Sequence, residues 1–163
     1  MKPLLVLAMG NPSRGDDALG PLLMDQLDAW LLHQPPSTQE ALDLLCELQL
    51  QPEHVYDLQG RDRVLFIDAS ASGPDQPRCA PLADTPSASS VPPITTHQCS
   101  PAALLNWYRA LFDAPAPACH LLSLPGHAFE LGAPLSPQAE QSLAQGWHLL
   151  LKWLNGQAEA AHA

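Results

Sequence analysis

The chain has 163 residues, which is enough for one domain with a sizeable core. Its 17 acidic and 7 basic residues give a formal net charge of −10, which argues against partners such as nucleic acid or an anionic membrane. Four cysteines without a Cys-x-x-Cys pair, no run of transmembrane length and an N-terminal apolar run too short for a signal peptide predict a soluble, cytoplasmic protein.

The chain opens with a pattern typical of a strand, a glycine turn and a helix. Residues 4–9 are continuously apolar and end at a glycine, as a fully buried strand does. Apolar residues then recur at helical spacing over residues 19–31. Because Pro21 is tolerated only in a first turn, the helix is predicted to begin near Asp16 or Asp17. This is the opening of an α/β unit.

The turn between that strand and that helix carries two acids. The spacing of Gly10 and Gly15 resembles a P-loop, but Asp16 and Asp17 stand where a P-loop has Lys and Ser or Thr. Two carboxylates repel a phosphate, so the turn favours a cation. We expect Asp16 to serve as a helix N-cap or first-turn acid, and Arg14 could pair with it.

The rest of the chain alternates predicted strands and helices. Polar connections are expected at residues 34–37 and over the long Pro-, Ser- and Ala-rich segment 73–98. Strands are predicted at 44–50, 64–67 and 119–124, with an edge strand at 78–82. Residues 52–60 are predicted to form a short helix or a turn, and further helices are predicted after Ser100-Pro101 and after Ser136-Pro137. The pattern predicts a three-layer α/β/α domain over residues 1–156, with a twisted, mostly parallel sheet and a disordered tail at 157–163.

Three side chains are predicted to meet at one edge of this sheet. Asp17 follows the first strand, Asp68 ends the third strand, and His97 closes the long loop before a helix. Ligands of such sheets bind outside the carboxyl ends of the strands. Two carboxylates and an imidazole can hold nickel or zinc with positions left open for a substrate. Each residue could instead have a purely structural role. Asp17 could interact with a helix dipole, Asp68 could cap a turn, and His97 could be an ordinary loop residue.

Four segments in this order resemble the hydrogenase maturation endopeptidases: GNPSRGDDALGP, FIDAS, THQCSP and FELGAPLSP. The resemblance covers nearly the whole chain and implies a twisted sheet flanked by helices. It also implies a cytoplasmic endopeptidase that removes the C-terminal extension of a [NiFe]-hydrogenase large-subunit precursor after nickel insertion. The opening segment most resembles members that serve soluble, NAD-reducing hydrogenases.

The resemblance also assigns roles to residues. Asp17, Asp68 and His97 match the positions thought to contact nickel, which arrives in the substrate, so we expect the free enzyme to retain none. Either the metal polarises the scissile carbonyl or a carboxylate activates water, and the catalytic residue that assists the water is Asp17 or Asp68. The expected partner is the large-subunit precursor, with neither nucleic acid nor membrane, and the expected oligomeric state is a monomer. Cys99 is expected to pack as a small apolar residue.

Two other functions are compatible with parts of the sequence. A non-catalytic nickel-sensing or chaperone module would need the same acids and histidine, so the sequence does not separate it from a protease. A dinucleotide-binding domain would share the α/β pattern, but the chain lacks a G-x-G-x-x-G fingerprint and has aspartates where phosphate would bind.

Overall fold

The structure, a computed structural model, describes residues 1–82 and 99–156. Its centre is a five-stranded sheet with the order β2-β1-β3-β5-β4. Strands β2, β1, β3 and β5 run parallel to one another, and β4 pairs antiparallel with β5 at the edge of the sheet. The strands are β1 (Leu4–Met9), β2 (Leu42–Glu47), β3 (Arg63–Ser70), β4 (Arg78–Pro81) and β5 (Ala118–Pro125).

The helices begin and end at recognisable local signals. Ser100 and Ser136 accept hydrogen bonds from the N–H groups of Ala103 and Ala139, so both predicted N-caps are confirmed. A 3-10 turn (Gly15–Ala18) precedes the first helix, and a second 3-10 turn (Pro52–His54) precedes the third. The helices are α1 (Leu19–Leu31), α2 (Pro36–Ala41), α3 (Val55–Leu58), α4 (Pro101–Phe112) and α5 (Pro137–Leu154).

The sheet is buried on both faces, which explains why its strands are continuously apolar. Successive side chains of β1 point to opposite faces. Val6 and Ala8 join one core cluster with α1 and α5, whereas Leu5 and Leu7 join a second cluster with α3 and α4. The predicted three-layer α/β/α architecture with a mostly parallel sheet is therefore confirmed.

Two strand predictions were wrong at their ends. The second strand was predicted at residues 44–50, but β2 begins and ends earlier, because its pairing with β1 runs from Leu42 to Glu47. The third strand was predicted to end at Asp68, but β3 continues to Ser70, because Asp68, Ala69 and Ser70 all pair with β5. Asp68 therefore lies inside a strand.

One helix prediction was also wrong. Residues 34–37 were predicted as a connection, but α2 begins at Pro36. This short helix buries none of its residues, so it leaves no apolar period in the sequence.

Two predicted segments lie outside the described residues. They are the tail 157–163 and most of the long loop, residues 83–98, which include His97. Among the described helices, none is long and apolar enough to cross a membrane.

Candidate functional site

A cavity of about 870 Å³ opens at the carboxyl ends of the strands. The turn after β1 forms one side of it, and the start of α4 forms another. Phe129, from the loop between β5 and α5, lines it as well. The lining residues are Met9, Gly10, Asn11, Arg14, Asp17, Leu48, Gln49, Leu50, Asp68, Ala69, Cys99, Ser100, Pro101 and Phe129. The cavity lies where ligands of parallel sheets bind.

Asp17 and Asp68 line this cavity together. Asp17 lies in the turn after β1, and Asp68 lies in β3. The two strands are neighbours, since β1 pairs in parallel with β3 from Leu4 to Ala8. This adjacency is the condition for both carboxylates to face one crevice. Asp17 accepts a hydrogen bond of 2.7 Å from the N–H of Asn11 to its Oδ2, which fixes its carboxylate over the turn.

The electrostatics of the cavity act most strongly on Asp68. Burial first, and the negative charge of Asp17 second, raise the pKa of Asp68 from its ordinary value of 3.8 to about 7, against the opposing hydrogen bond from the N–H of Ala69. Near neutral pH this carboxyl can therefore both hold and release a proton. A carboxyl with such a pKa can serve as a general acid or base, and ionised it can contact a cation.

The third predicted ligand, His97, lies outside the described residues, so its position relative to the two acids stays a prediction. Among the residues that the structure describes, no group of three or more His, Cys, Asp and Glu side chains is placed to hold a metal ion. Cys99 lines the cavity, and burial together with the charge of Glu53 raises the pKa of its thiol, which favours the neutral form.

Asp16 has a role that the sequence did not indicate. It is fully buried, and its side chain makes no helix-capping hydrogen bond, so the N-cap alternative was wrong although it lies in the first turn. Its carboxylate accepts hydrogen bonds from Ser136, His127 and Ala128 instead of pairing with Arg14. Burial alone would raise the pKa of Asp16, but these hydrogen bonds, led by the Ser136 hydroxyl, outweigh burial and lower it.

The glycine turn allows the acids to come this close to the neighbouring loop. Gly15 has a φ of +53°, and a Cβ at this position would collide with the carbonyl oxygen of Ala128. Gly10 has a φ of +150°, and a Cβ there would collide with the carbonyl oxygen of Asp17. Both positions therefore require a residue without a side chain.

No protein-family model matches the chain, and no curated protein matches it in sequence. Several solved structures do match in fold. The hydrogenase maturating endopeptidase HybD from E. coli superposes with a TM-score of 0.71 at 22% identity, over 96% of this chain and 93% of that one. The [NiFe] hydrogenase maturation protease HycI from Thermococcus kodakarensis gives a TM-score of 0.65 at 20% identity, over 94% of this chain and 93% of that one.

A hydrogenase 2 maturation peptidase from a Thaumarchaeota archaeon gives a TM-score of 0.61 at 21% identity, over 94% of this chain and 98% of that one. These superpositions span nearly the full length of both partners, so the likeness concerns the whole domain and not one α/β unit. The chain therefore has the fold of the hydrogenase maturation endopeptidases.

Proposed function

We propose that this protein is an endopeptidase that removes the C-terminal extension of a [NiFe]-hydrogenase large-subunit precursor after nickel has been inserted. The observation that carries the proposal is the pairing of Asp17 and Asp68 in one open cavity, on a fold shared with maturation endopeptidases. The four sequence segments that resemble this family support it as well.

The cavity suits recognition of a metal that the substrate carries. Asp17 and Asp68 supply carboxylate oxygens, and His97 would supply an imidazole nitrogen, which together fit a borderline divalent ion such as nickel. A precursor without nickel would leave the two carboxylates facing each other without a cation between them. Productive binding would then be weak, so the same residues would test whether the metal is present before the chain is cut.

The chemistry of the cut is hydrolysis of a peptide bond. A nickel ion held by the substrate would polarise the scissile carbonyl if it lies near that group. The carboxylate of Asp68, which lines the cavity beside Asp17, would take a proton from the attacking water and return it to the leaving amine. Asp17, held by the N–H of Asn11, would fix the metal or assist the water.

The remaining features of the proposal follow from its substrate. The partner is the large-subunit precursor, the metal is nickel delivered by that partner, and the site of action is the cytoplasm. The soluble, NAD-reducing type of hydrogenase is the subclass that the opening sequence segment favours. A monomer suffices for this activity, because both described acids come from one chain.

The test is to incubate the protein with nickel-loaded precursor and measure the intact mass of the precursor over time. We expect a single mass loss equal to a C-terminal peptide, and no loss with Asp68→Asn. A precursor that binds the protein but keeps its full mass would instead support a non-catalytic nickel-sensing or chaperone module.

A further inference from the structure

We propose that Asp16 is a positioning residue, which holds the loop of residues 126–136 as a substrate-facing wall of the cavity, with Phe129 as the contact residue of that wall. This inference rests on the proposed protease function, and it names the part of the site that would contact the polypeptide rather than the metal. The chemical class of the contact is an apolar side chain of the precursor near the cut.

The first observation is the set of hydrogen bonds around the Asp16 carboxylate. Oδ2 accepts from the N–H groups of His127 at 2.7 Å and Ala128 at 3.1 Å, and from the Ser136 hydroxyl at 2.7 Å. Oδ1 accepts from the N–H of Ser136 at 2.8 Å. One fully buried carboxylate thus binds both ends of the loop, and hydrogen bonds to an ionised acceptor are among the strongest in proteins.

Backbone contacts join the same two segments. The N–H of Asp16 donates to the carbonyl of Ala128 at 2.7 Å, and the N–H of Gly132 donates to the carbonyl of Ser13 at 2.7 Å. The turn that carries Asp17 and the loop that carries Phe129 are therefore fastened to each other on both sides of the Asp16 carboxylate.

Phe129 lies between these fastened points and lines the cavity. Its ring packs against Gly126, where a Cβ would collide with the ring, and the N–H of Gly126 donates to the carbonyl of Ser70 at 3.0 Å. The ring thus packs against a residue that is itself bonded to the end of β3, the strand that carries Asp68. An apolar ring in this place offers a surface to an apolar side chain of a bound peptide.

The geometry separates the role of Asp16 from that of its neighbour. Asp17 lines the cavity, whereas Asp16 does not and has no exposed surface. A change of the Asp16 carboxylate therefore removes no direct contact with the cavity, and it acts on the loop whose groups donate the hydrogen bonds described above. Replacing the carboxylate by an amide would place an N–H₂ group among backbone N–H donors, which leaves donors unpaired and loosens the loop.

The experiment is a double-mutant cycle of Asp16→Asn and Phe129→Ala in the cleavage of nickel-loaded precursor. Each single variant is expected to raise KM about tenfold and to leave kcat within about twofold, since the wall binds and does not react. Because Asp16 acts through Phe129, the double variant is expected to be no worse than the poorer single variant. Effects that multiply, or a fall in kcat with KM unchanged, would overturn the proposal.

Asp43→Asn is the matched control. Asp43 also accepts a hydrogen bond from a backbone N–H and pairs with Arg61, but it lies at the opposite end of the strands. Loss of the Asp43 carboxylate is expected to lower thermal stability without changing KM or kcat. If Asp43→Asn raised KM as Asp16→Asn does, the effect would be one of general stability, and the positioning role would be rejected.

A second readout keeps the proposal testable whether or not the protein cleaves the precursor. Amide hydrogen exchange is expected to become faster at His127, Ala128 and Ser136 in Asp16→Asn, with β1 and β3 unchanged. Ser136→Ala removes the hydroxyl donor to Asp16 together with the side-chain cap of α5, and it serves if Asp16→Asn fails to fold, with the cap variant Ser100→Ala as its control. Unchanged exchange of the loop amides in Asp16→Asn and Ser136→Ala would overturn the positioning role, whereas wild-type protein that leaves every precursor intact would overturn the protease function.

Discussion

Asp17, in the turn after β1, lines the same cavity as Asp68 of the neighbouring strand β3, and burial together with the charge of Asp17 holds the pKa of Asp68 at about 7. A carboxyl that binds its proton this tightly is costly to ionise in the free protein. The precursor's nickel would offset this cost by supplying a positive charge. The arrangement would thus link the stability of the free protein and its pH dependence to the proposed recognition of a metal-bearing partner.

The raised pKa of Asp68 predicts a stability change with a definite sign. The unfolded chain ionises Asp68 near pH 3.8, whereas the folded protein keeps it protonated up to about pH 7, so its contribution to stability is present below pH 3.8 and lost as the pH rises through 7. Asp68→Asn removes that loss. We expect it to raise the free energy of unfolding by about 1–3 kcal/mol at pH 8 and by nothing measurable at pH 3.5.

Thermal unfolding of both proteins across this pH range measures the difference. Asp28→Asn is a suitable control, because Asp28 is exposed on α1 and does not line the cavity. If Asp68→Asn is less stable than the wild type at pH 8, the ionised carboxylate of Asp68 makes a stabilising contact in the free protein, which contradicts this account.

Asp17→Asn is expected to lower the pKa of Asp68, but only by the smaller part of the amount by which that pKa is raised. Burial is the larger cause of the raised pKa, and the charge of Asp17 is the smaller one. The pKa of Asp68 should therefore fall below 7 but stay above 3.8. The carboxyl carbon resonance of Asp68, followed by NMR against pH, gives the midpoint directly. A midpoint that does not move would mean that the two carboxylates do not interact.

The two serine N-caps provide a matched pair for stability. Ser100 caps α4 and Ser136 caps α5 by the same contact, but Ser136 also donates to the buried carboxylate of Asp16. We expect Ser100→Ala to cost about 1 kcal/mol and Ser136→Ala to cost about 2–3 kcal/mol, because the latter also leaves a buried acceptor with one donor fewer. Urea unfolding of both variants measures the difference, and equal costs would mean that the hydroxyl contact to Asp16 contributes nothing.

Gly15 and Gly132 separate the effect of backbone conformation from that of a collision. Both have a positive φ, of +53° and +81°, but a Cβ at Gly15 would meet the carbonyl of Ala128, whereas a Cβ at Gly132 would meet no atom. Gly132→Ala should cost about 1–2 kcal/mol from strain alone. Gly15→Ala should cost clearly more and should also loosen the loop that follows β5. Similar unfolding midpoints for the two variants would contradict this close approach.

His97 remains the residue whose role is predicted from the sequence alone. His97→Ala is expected to abolish cleavage of the nickel-loaded precursor. It is expected to leave the melting temperature within about 2 °C of the wild type, because the sequence predicts a loop position for this residue. His33→Ala is the control, because His33 is exposed after the far end of α1. Cleavage at the wild-type rate by His97→Ala would remove this histidine from the site.

The sequence predicts the parts of the fold that local patterns specify. The apolar run of β1 and the Ser-Pro starts of α4 and α5 are signals of this kind, and the structure has all three elements. The end of β3 was wrong because a polar residue was taken as a strand end, although pairing with β5 carries the strand past Asp68. Such pairing depends on a strand about fifty residues away.

The candidate site divides in the same way. Asp17 and Asp68 could be picked out because each follows or lies in an apolar run, and the two runs form adjacent strands. The role of Asp16 could not be predicted, because an acid in the first turn of a helix already has a local explanation. Its actual partner, Ser136, lies 120 residues further along the chain.

The most direct test of the proposed function compares nickel-loaded with nickel-free large-subunit precursor, each incubated with this protein and measured by intact mass. Loss of a C-terminal peptide from the loaded form alone is the expected result, because Asp17 and Asp68 need the substrate's cation between them. Equal cleavage of both forms would contradict recognition of the metal, and no cleavage of either form would contradict the protease itself.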